Sequence, residues 1–263
     1  MHKGAAIILV WLMVLSAGLA FAGEEHQPKP EQDVWYAPKN FSASLAFTTD
    51  YVFRGLSQTD GKPAAQASLT YTHPTGFYVG TWASNVNFTP GDTVEIDGYV
   101  GFADSFVGIG YDLSFLYYAY PGARGDPKPD YLELHLGLSY TLPVEWPVVP
   151  TLAVGYYYSP DYLFEDGTGN YVNATLDLAL PMAFGIAFEG GYQYVQGGEL
   201  TGNGLGENGG DGYDYFHYRA SVYKEIFGFN LDLSFHNIAG IDKNFFGDVG
   251  DERVVFTITC NFN

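Results

Sequence analysis

The chain has 263 residues, 17% of them aromatic, with 33 Gly and only 11 Lys+Arg against 30 Asp+Glu. That acidic balance argues against a nucleic-acid partner, which needs clustered Lys and Arg to meet phosphate, and the aromatic content argues against an acidic disordered chain. Cys260 is the single cysteine, so no internal disulfide staples the fold.

The N-terminus reads as a targeting segment. Lys3 precedes an uncharged apolar run from Ile7 to Leu15, and Ala20-Phe21-Ala22 supplies the small-x-small pattern read by signal peptidase. The run is shorter than the roughly 20 residues that a spanning helix needs, and no Cys at the junction offers a lipoprotein site. Residues 1–22 are therefore expected to be a cleaved signal peptide, residues 23–39 a flexible lead rich in Pro, Glu and Gln, and residues 40–263 the folded domain. No later apolar stretch is long enough for a transmembrane helix.

From residue 40 onward the pattern is alternation. Phe41, Ala43, Leu45, Phe47, Thr49, Tyr51 and Phe53 share one face, against Ser42, Ser44, Ala46, Thr48, Asp50 and Arg54 on the other. Leu132, Leu134, Leu136, Leu138 and Tyr140 oppose Glu133, His135, Gly137 and Ser139. Phe184, Ile186, Phe188, Tyr192 and Tyr194 oppose Ala187, Glu189 and Gln193. One face suits lipid and the other water. The segments fall at 40–54, 63–72, 77–87, 93–103, 106–118, 130–141, 150–159, 169–180, 184–196, 213–224, 228–237 and 252–262. About twelve strands of this length predict an all-β fold, a transmembrane antiparallel up-and-down β-barrel.

A soluble sandwich also alternates, and connection lengths discriminate between the two. The even connections are mostly short: His73 to Gly76, Asp104-Ser105, Pro181 to Ala183 and Glu225 to Phe227. The odd ones are longer: Gly55 to Lys62, Tyr120 to Pro129, Pro160 to Thr168, Gly197 to Gly212 and Ile238 to Asp251. A barrel with both termini in the periplasm has short turns inside and long loops outside. Leu142 to Val149, with Trp146, is the exception. Tyr117, Tyr156, Tyr158, Tyr192 and Tyr194 fall toward the outer end and Phe41, Tyr140, Phe184 and Phe229 toward the inner, as two aromatic girdles would. The last strand alternates Val254, Phe256, Ile258, Cys260 and Phe262, similar to the C-terminal signal by which the barrel-assembly machinery takes up outer-membrane proteins, with Asn263 following the Phe.

The stretch Asp50-Tyr51-Val52-Phe53-Arg54-Gly55-Leu56-Ser57-Gln58-Thr59, then Gly61-Lys62-Pro63-Ala64, Gly76-Phe77-Tyr78-Val79-Gly80 and Ser84-Asn85-Val86, resembles the TorF family of porins. The resemblance implies an outer-membrane location and a porin-like role, and carries no catalytic residues and no cofactor. The expected function is passive diffusion of small hydrophilic solutes.

Alternation assigns Asp50, Glu95, Asp97, Asp112, Glu133, Asp177, Glu189 and Asp232 to the lumen, against Arg54, Arg219 and Arg253, joined by Gln66, His135, Gln193, His217 and His236. A one-residue register error would turn a whole strand's set outward. The acidic excess predicts a weak cation preference. Along one extended strand Asp50 and Arg54 would lie roughly 13 Å apart and not pair; Arg54 either faces carboxylates across a constriction or neutralises acids in a filled lumen. The Gly-rich segment Gly197 to Gly212, with Glu199, Glu207 and Asp211, could be a solvated loop, fold into the barrel or bind calcium. Asp161, Glu165, Asp166, Asp248 and Asp251 are candidates to bridge lipopolysaccharide through divalent cations. Two other readings compete: a narrow, mostly closed barrel with a structural or surface-binding role, and a lipid-acting enzyme. For the latter, Ser139, Ser221 and Ser234 lie near His135, His217 and His236, but no Gly-x-Ser-x-Gly, His-Glu-x-x-His or paired-Cys motif is present. Gly108-Ile109-Gly110 reads as lying inside a strand.

Overall fold

The computed structural model describes residues 36–87, 94–124, 126–144, 147–197, 212–241 and 245–262. The expected signal peptide, most of the lead including Val34-Trp35, Trp146, and residues 198–211 of the Gly-rich segment lie outside them.

In chain order the strands are β1 (Phe41–Thr48), the short β2 (Val52–Phe53) and β3 (Leu56–Ser57), then β4 (Ala64–Thr72), β5 (Phe77–Asn85), β6 (Val94–Phe106), β7 (Ile109–Ala119), β8 (Tyr131–Thr141), β9 (Val149–Ser159), β10 (Gly169–Leu180), β11 (Phe184–Val195), β12 (Tyr213–Ile226), β13 (Phe229–Ala239) and β14 (Arg253–Phe262). β1 and β4 to β14 form a closed barrel of twelve strands, each antiparallel to its neighbours. β1 closes the ring on β14, from Ala43↔Phe262 to Thr48↔Thr257. Among the described residues no helix is long and apolar enough to cross a membrane; the wall crosses as strands.

Alternation sets the two faces. Leu45, Phe47, Leu69, Leu113, Leu136 and Val154 stand exposed on the outer surface, while their neighbours Ser44, Thr48, Thr70, Asp112, His135 and Glu133 are buried inside. This is an inverted core, apolar outward and polar inward, which a strand wall adopts when its outside is hydrocarbon. The barrel is the transmembrane unit. Inside, tyrosine rings fill the space left by inward glycines: Tyr99 covers Gly80, Tyr78 covers Gly101 and Tyr223 covers Gly185.

The short connections 73–76, 107–108, 181–183 and 227–228 lie at one end and the long ones at the other, with the connection between Thr141 and Val149 the exception, as expected. Two turns differ from the sequence reading. β6 runs past Asp104-Ser105 to Phe106, and the reversal falls on Val107-Gly108, so Gly108 is in a hairpin turn and not inside a strand. β12 likewise continues to Ile226 and turns at Phe227-Gly228. Polar residues suggested the earlier break; backbone freedom decides the later one. Val107 and Gly108 have φ of 51° and 81°, the two positive values a tight type I′ hairpin demands. A β-branched residue is poorly suited to that conformation and Asn well suited. Val107→Asn is therefore expected to stabilise the barrel by about 1 kcal/mol, read as a higher urea midpoint of refolding in detergent; a lower midpoint would show that the apolar Val side chain is held by the interface.

The first connection departs furthest from expectation. β1 ends at Thr48 and not at residue 54. Beyond it the chain leaves the wall, and the β2–β3 hairpin, paired Val52↔Ser57 and Phe53↔Leu56, forms a separate two-stranded sheet. Tyr51 and Phe53, expected on the lipid face, pack against the buried aromatic cluster of Trp82, Tyr99, Tyr118 and Tyr120.

Candidate functional site

The lumen and the first connection that enters it form the candidate site. Arg54 is not on a strand: it sits with φ 47° at the tip of the β2–β3 hairpin. Its guanidinium donates to both carboxylate oxygens of Glu133 at 2.8 and 2.7 Å and to the side-chain oxygen of Gln193 at 2.9 Å. It also lies 4.1 Å from the Tyr171 ring centroid and 4.9 Å from that of Tyr157. These partners stand on β8, β11, β10 and β9. Around the ring β9 lies opposite β1 and β10 opposite β4, so the first connection crosses the full width of the barrel.

Its root is fixed as well. Asp50 accepts from Arg253 of β14 at 2.6 Å, from Ser57 at 2.6 Å and from Thr59 at 2.7 Å. Arg253 donates further to the carbonyls of Asp248 and Val249, tying in the connection before β14. Tyr51 meets the Trp82 ring at 5.2 Å and Phe53 the Tyr118 ring at 6.0 Å. Asp50 and Arg54 thus hold opposite sides of one inserted loop, and the extended spacing expected for them does not apply. Beside it, Tyr162 in the connection after β9 is pushed up to about 12 by burial, which keeps it a neutral hydroxyl.

The remaining charged positions are also inside. Arg219 donates to both oxygens of Asp232 at 2.9 Å, the Tyr78 hydroxyl to Asp112 at 2.7 Å, and the Tyr223 hydroxyl to Asp177 at 3.0 Å. Tyr171 and Asn173 both donate to Glu189 at 3.2 Å, and Tyr120 donates to Glu95 at 2.9 Å. Asp97 is 2% exposed. Asp50, Arg54, Asp97, Glu189 and Arg219 line one chamber with an empty volume of about 940 Å³ including its open mouth. Of the carboxylates considered for lipopolysaccharide, Asp161, Glu165, Asp248 and Asp251 are exposed, whereas Asp166 is buried and cannot serve.

Among the described residues the expected serine–histidine pairs reduce to one contact, Ser234 with His236, and the serine beside His135 is Ser114 and not Ser139. His135 Nδ1 faces both Ser114 at 3.2 Å and Asp112 at 3.0 Å, so the carboxylate is on the same nitrogen as the hydroxyl instead of across the ring from it. Ser234 Oγ lies 3.0 Å from His236 Nε2. Among the described residues no group of three His, Cys, Asp or Glu is placed to hold a metal.

A family model described as a bacterial protein of unknown function (Gcw_chp) matches residues 34–262. The chain belongs to the Gcw_chp family. The match runs through the whole described barrel of this Gcw_chp protein, inserted loop included. No curated protein matches the sequence. Among solved structures, a KdgM porin aligns with TM-score 0.50 and 7% identity over 84% of this chain and 98% of that one. A NanC porin gives 0.48 and 8% over 85% and 99%, and LpxR from Salmonella typhimurium 0.48 and 11% over 84% and 99%. At 7% identity the KdgM likeness shows the barrel fold alone.

Sequence reasoning missed the inserted loop and its aromatic bed. A signal was present: Tyr51, Val52, Phe53 and Leu56 are too apolar for a solvated loop, and Arg54-Gly55 breaks the strand they seem to continue.

Proposed function

We propose that the protein is a channel of the bacterial outer membrane, passing small hydrophilic solutes with a preference for cations through a lumen narrowed by its first connection. The supporting observation is the inverted barrel itself. A continuous apolar exterior encloses eight inward carboxylates against three guanidinium groups, Arg54, Arg219 and Arg253, and of these Asp50, Asp97, Glu189, Arg54 and Arg219 line the chamber. Fixed negative charge in a confined, low-dielectric passage concentrates cations and repels anions. The TorF resemblance of residues 50–86 and the porin-like fold agree with this reading. The reading includes export through a cleaved signal peptide, with the short turns periplasmic and the long connections facing lipopolysaccharide.

The test is single-channel conductance of the refolded chain, residues 23–263, in a planar bilayer under a salt gradient. Discrete steps with a cation-favouring reversal potential are expected; an anion-favouring potential would overturn the selectivity. A second reading, a closed barrel with a structural or surface-binding role, is favoured by one observation, the inserted loop clamped at both sides of the lumen. Folded protein giving no steps in any variant of that loop would establish it. The reading is non-enzymatic: it takes the inward Ser221, Ser234, His135, His217 and His236 as polar lining of the lumen.

A further inference from the structure

Most lumen carboxylates have donors. Glu133, Asp50 and Asp232 have arginines, Asp112 has the His135 ring, and Asp177 and Glu189 have hydroxyl or amide groups. Glu95 has a hydroxyl donor, Tyr120, on one oxygen only, and Asp97 differs from all of them. Both are 2% exposed, no cationic side chain among the described residues pairs with either, and Glu95 Oε2 and Asp97 Oδ1 are enclosed without any hydrogen-bond donor. An enclosed carboxylate oxygen without a donor is costly, and a cation brought to these two atoms would relieve that cost.

The surroundings define its chemistry. Asp97 is the register partner of Trp82 on β5 and of Tyr118 on β7, so all three project inward at one level. The loop lays Tyr51 on Trp82 and Phe53 on Tyr118. Asp97, Tyr51, Trp82 and Tyr118 all line the chamber. Aromatic faces attract weakly hydrated cations, above all organic ammonium groups, whereas calcium requires six to eight oxygen ligands, and no cluster of acids of that kind exists among the described residues.

We infer that Glu95 and Asp97, with the aromatic wall of Tyr51, Trp82 and Tyr118, form a binding site for a small organic ammonium ion entering from the lumen. This rests on the channel reading only in facing the lumen, and its test needs no current. The protein in detergent, shown folded by its heat-modifiable migration, is titrated calorimetrically with choline chloride, with KCl and CaCl2 in parallel at matched ionic strength. Saturable choline binding is expected, weakened at least tenfold by Asp97→Asn and about fivefold by Trp82→Leu, and unchanged by Asp104→Asn on the outer surface of the turn end. No saturable heat, or choline binding unaltered in both lumen variants, overturns the site. Displacement of choline by equal concentrations of K+ or Ca2+ also overturns it, assigning the carboxylates to inorganic cations. Choline binding without conductance would refute only the channel; conductance without choline binding would refute only the site.

Discussion

Arg54→Ala is expected to raise single-channel conductance severalfold while the barrel stays folded. The Arg54–Glu133 pair is almost wholly enclosed, with side-chain exposures of 4% and 1%. Removing one partner of a buried pair costs about 3–5 kcal/mol, because the other is left as an uncompensated charge. Here that cost has an outlet. The loop is not part of the wall, so Glu133 can regain water if the hairpin leaves the lumen, and the lost energy appears as undocking and not as unfolding. Arg54→Ala/Glu133→Ala removes the orphaned charge too and is expected to cost less than the sum of the single changes. Bilayer recordings of the three variants, with refolding checked by heat-modifiable migration, decide it. Folded Arg54→Ala protein with unchanged conductance would sink the idea that this loop restricts the passage.

The wall was legible because each strand carries its own evidence. In β8 the alternation of Leu132, Leu134, Leu136 and Leu138 with Glu133 and His135 reflects two solvents on two faces, and no other strand is needed to read it. Connection lengths then supplied the topology. What alternation does not encode is whether the chain remains in the wall. Tyr51 and Phe53 continue the phase of Phe41 to Phe47, yet the apolar surface they meet is Trp82 and Tyr118 inside the barrel and not lipid.

Of the site, positions were legible and partners were not. Glu133, Glu189 and Arg219 are inward by phase alone. Which cation meets which carboxylate depends on closure of the ring: Arg54 and Glu133 are 79 residues apart in sequence, and Asp50 and Arg253 are 203 apart. The inward tyrosines carry the same limitation. Tyr118 and Tyr157 alternate with Tyr117, Tyr156 and Tyr158 on the lipid face, and only closure of the ring shows that Tyr157 and Tyr171 meet Arg54.

Gly55 gives the second large effect, by geometry instead of charge. It follows Arg54 with φ +84°, and a Cβ there would stand 2.6 Å from His217 Cβ and 2.7 Å from Ile238 Cγ2 on β12 and β13. Neither wall atom is the far end of a flexible chain, so Gly55→Ala cannot be absorbed while the hairpin remains docked, and Gly55→Val still less. Gly61 isolates the backbone contribution. Its φ is +70° and nothing lies within 4 Å of its would-be Cβ, so Gly61→Ala carries only the left-handed conformational cost of about 1–2 kcal/mol. Conductance close to that of the unaltered protein is expected for Gly61→Ala, and a rise comparable to that of Arg54→Ala for Gly55→Ala. Both Arg54 and Gly55 act on one docking equilibrium, so the Arg54→Ala/Gly55→Ala variant should conduct little more than either single change: once the hairpin is out, there is nothing left to release. Additive increases would mean that the two residues restrict the lumen separately, and that the loop does not move as a unit.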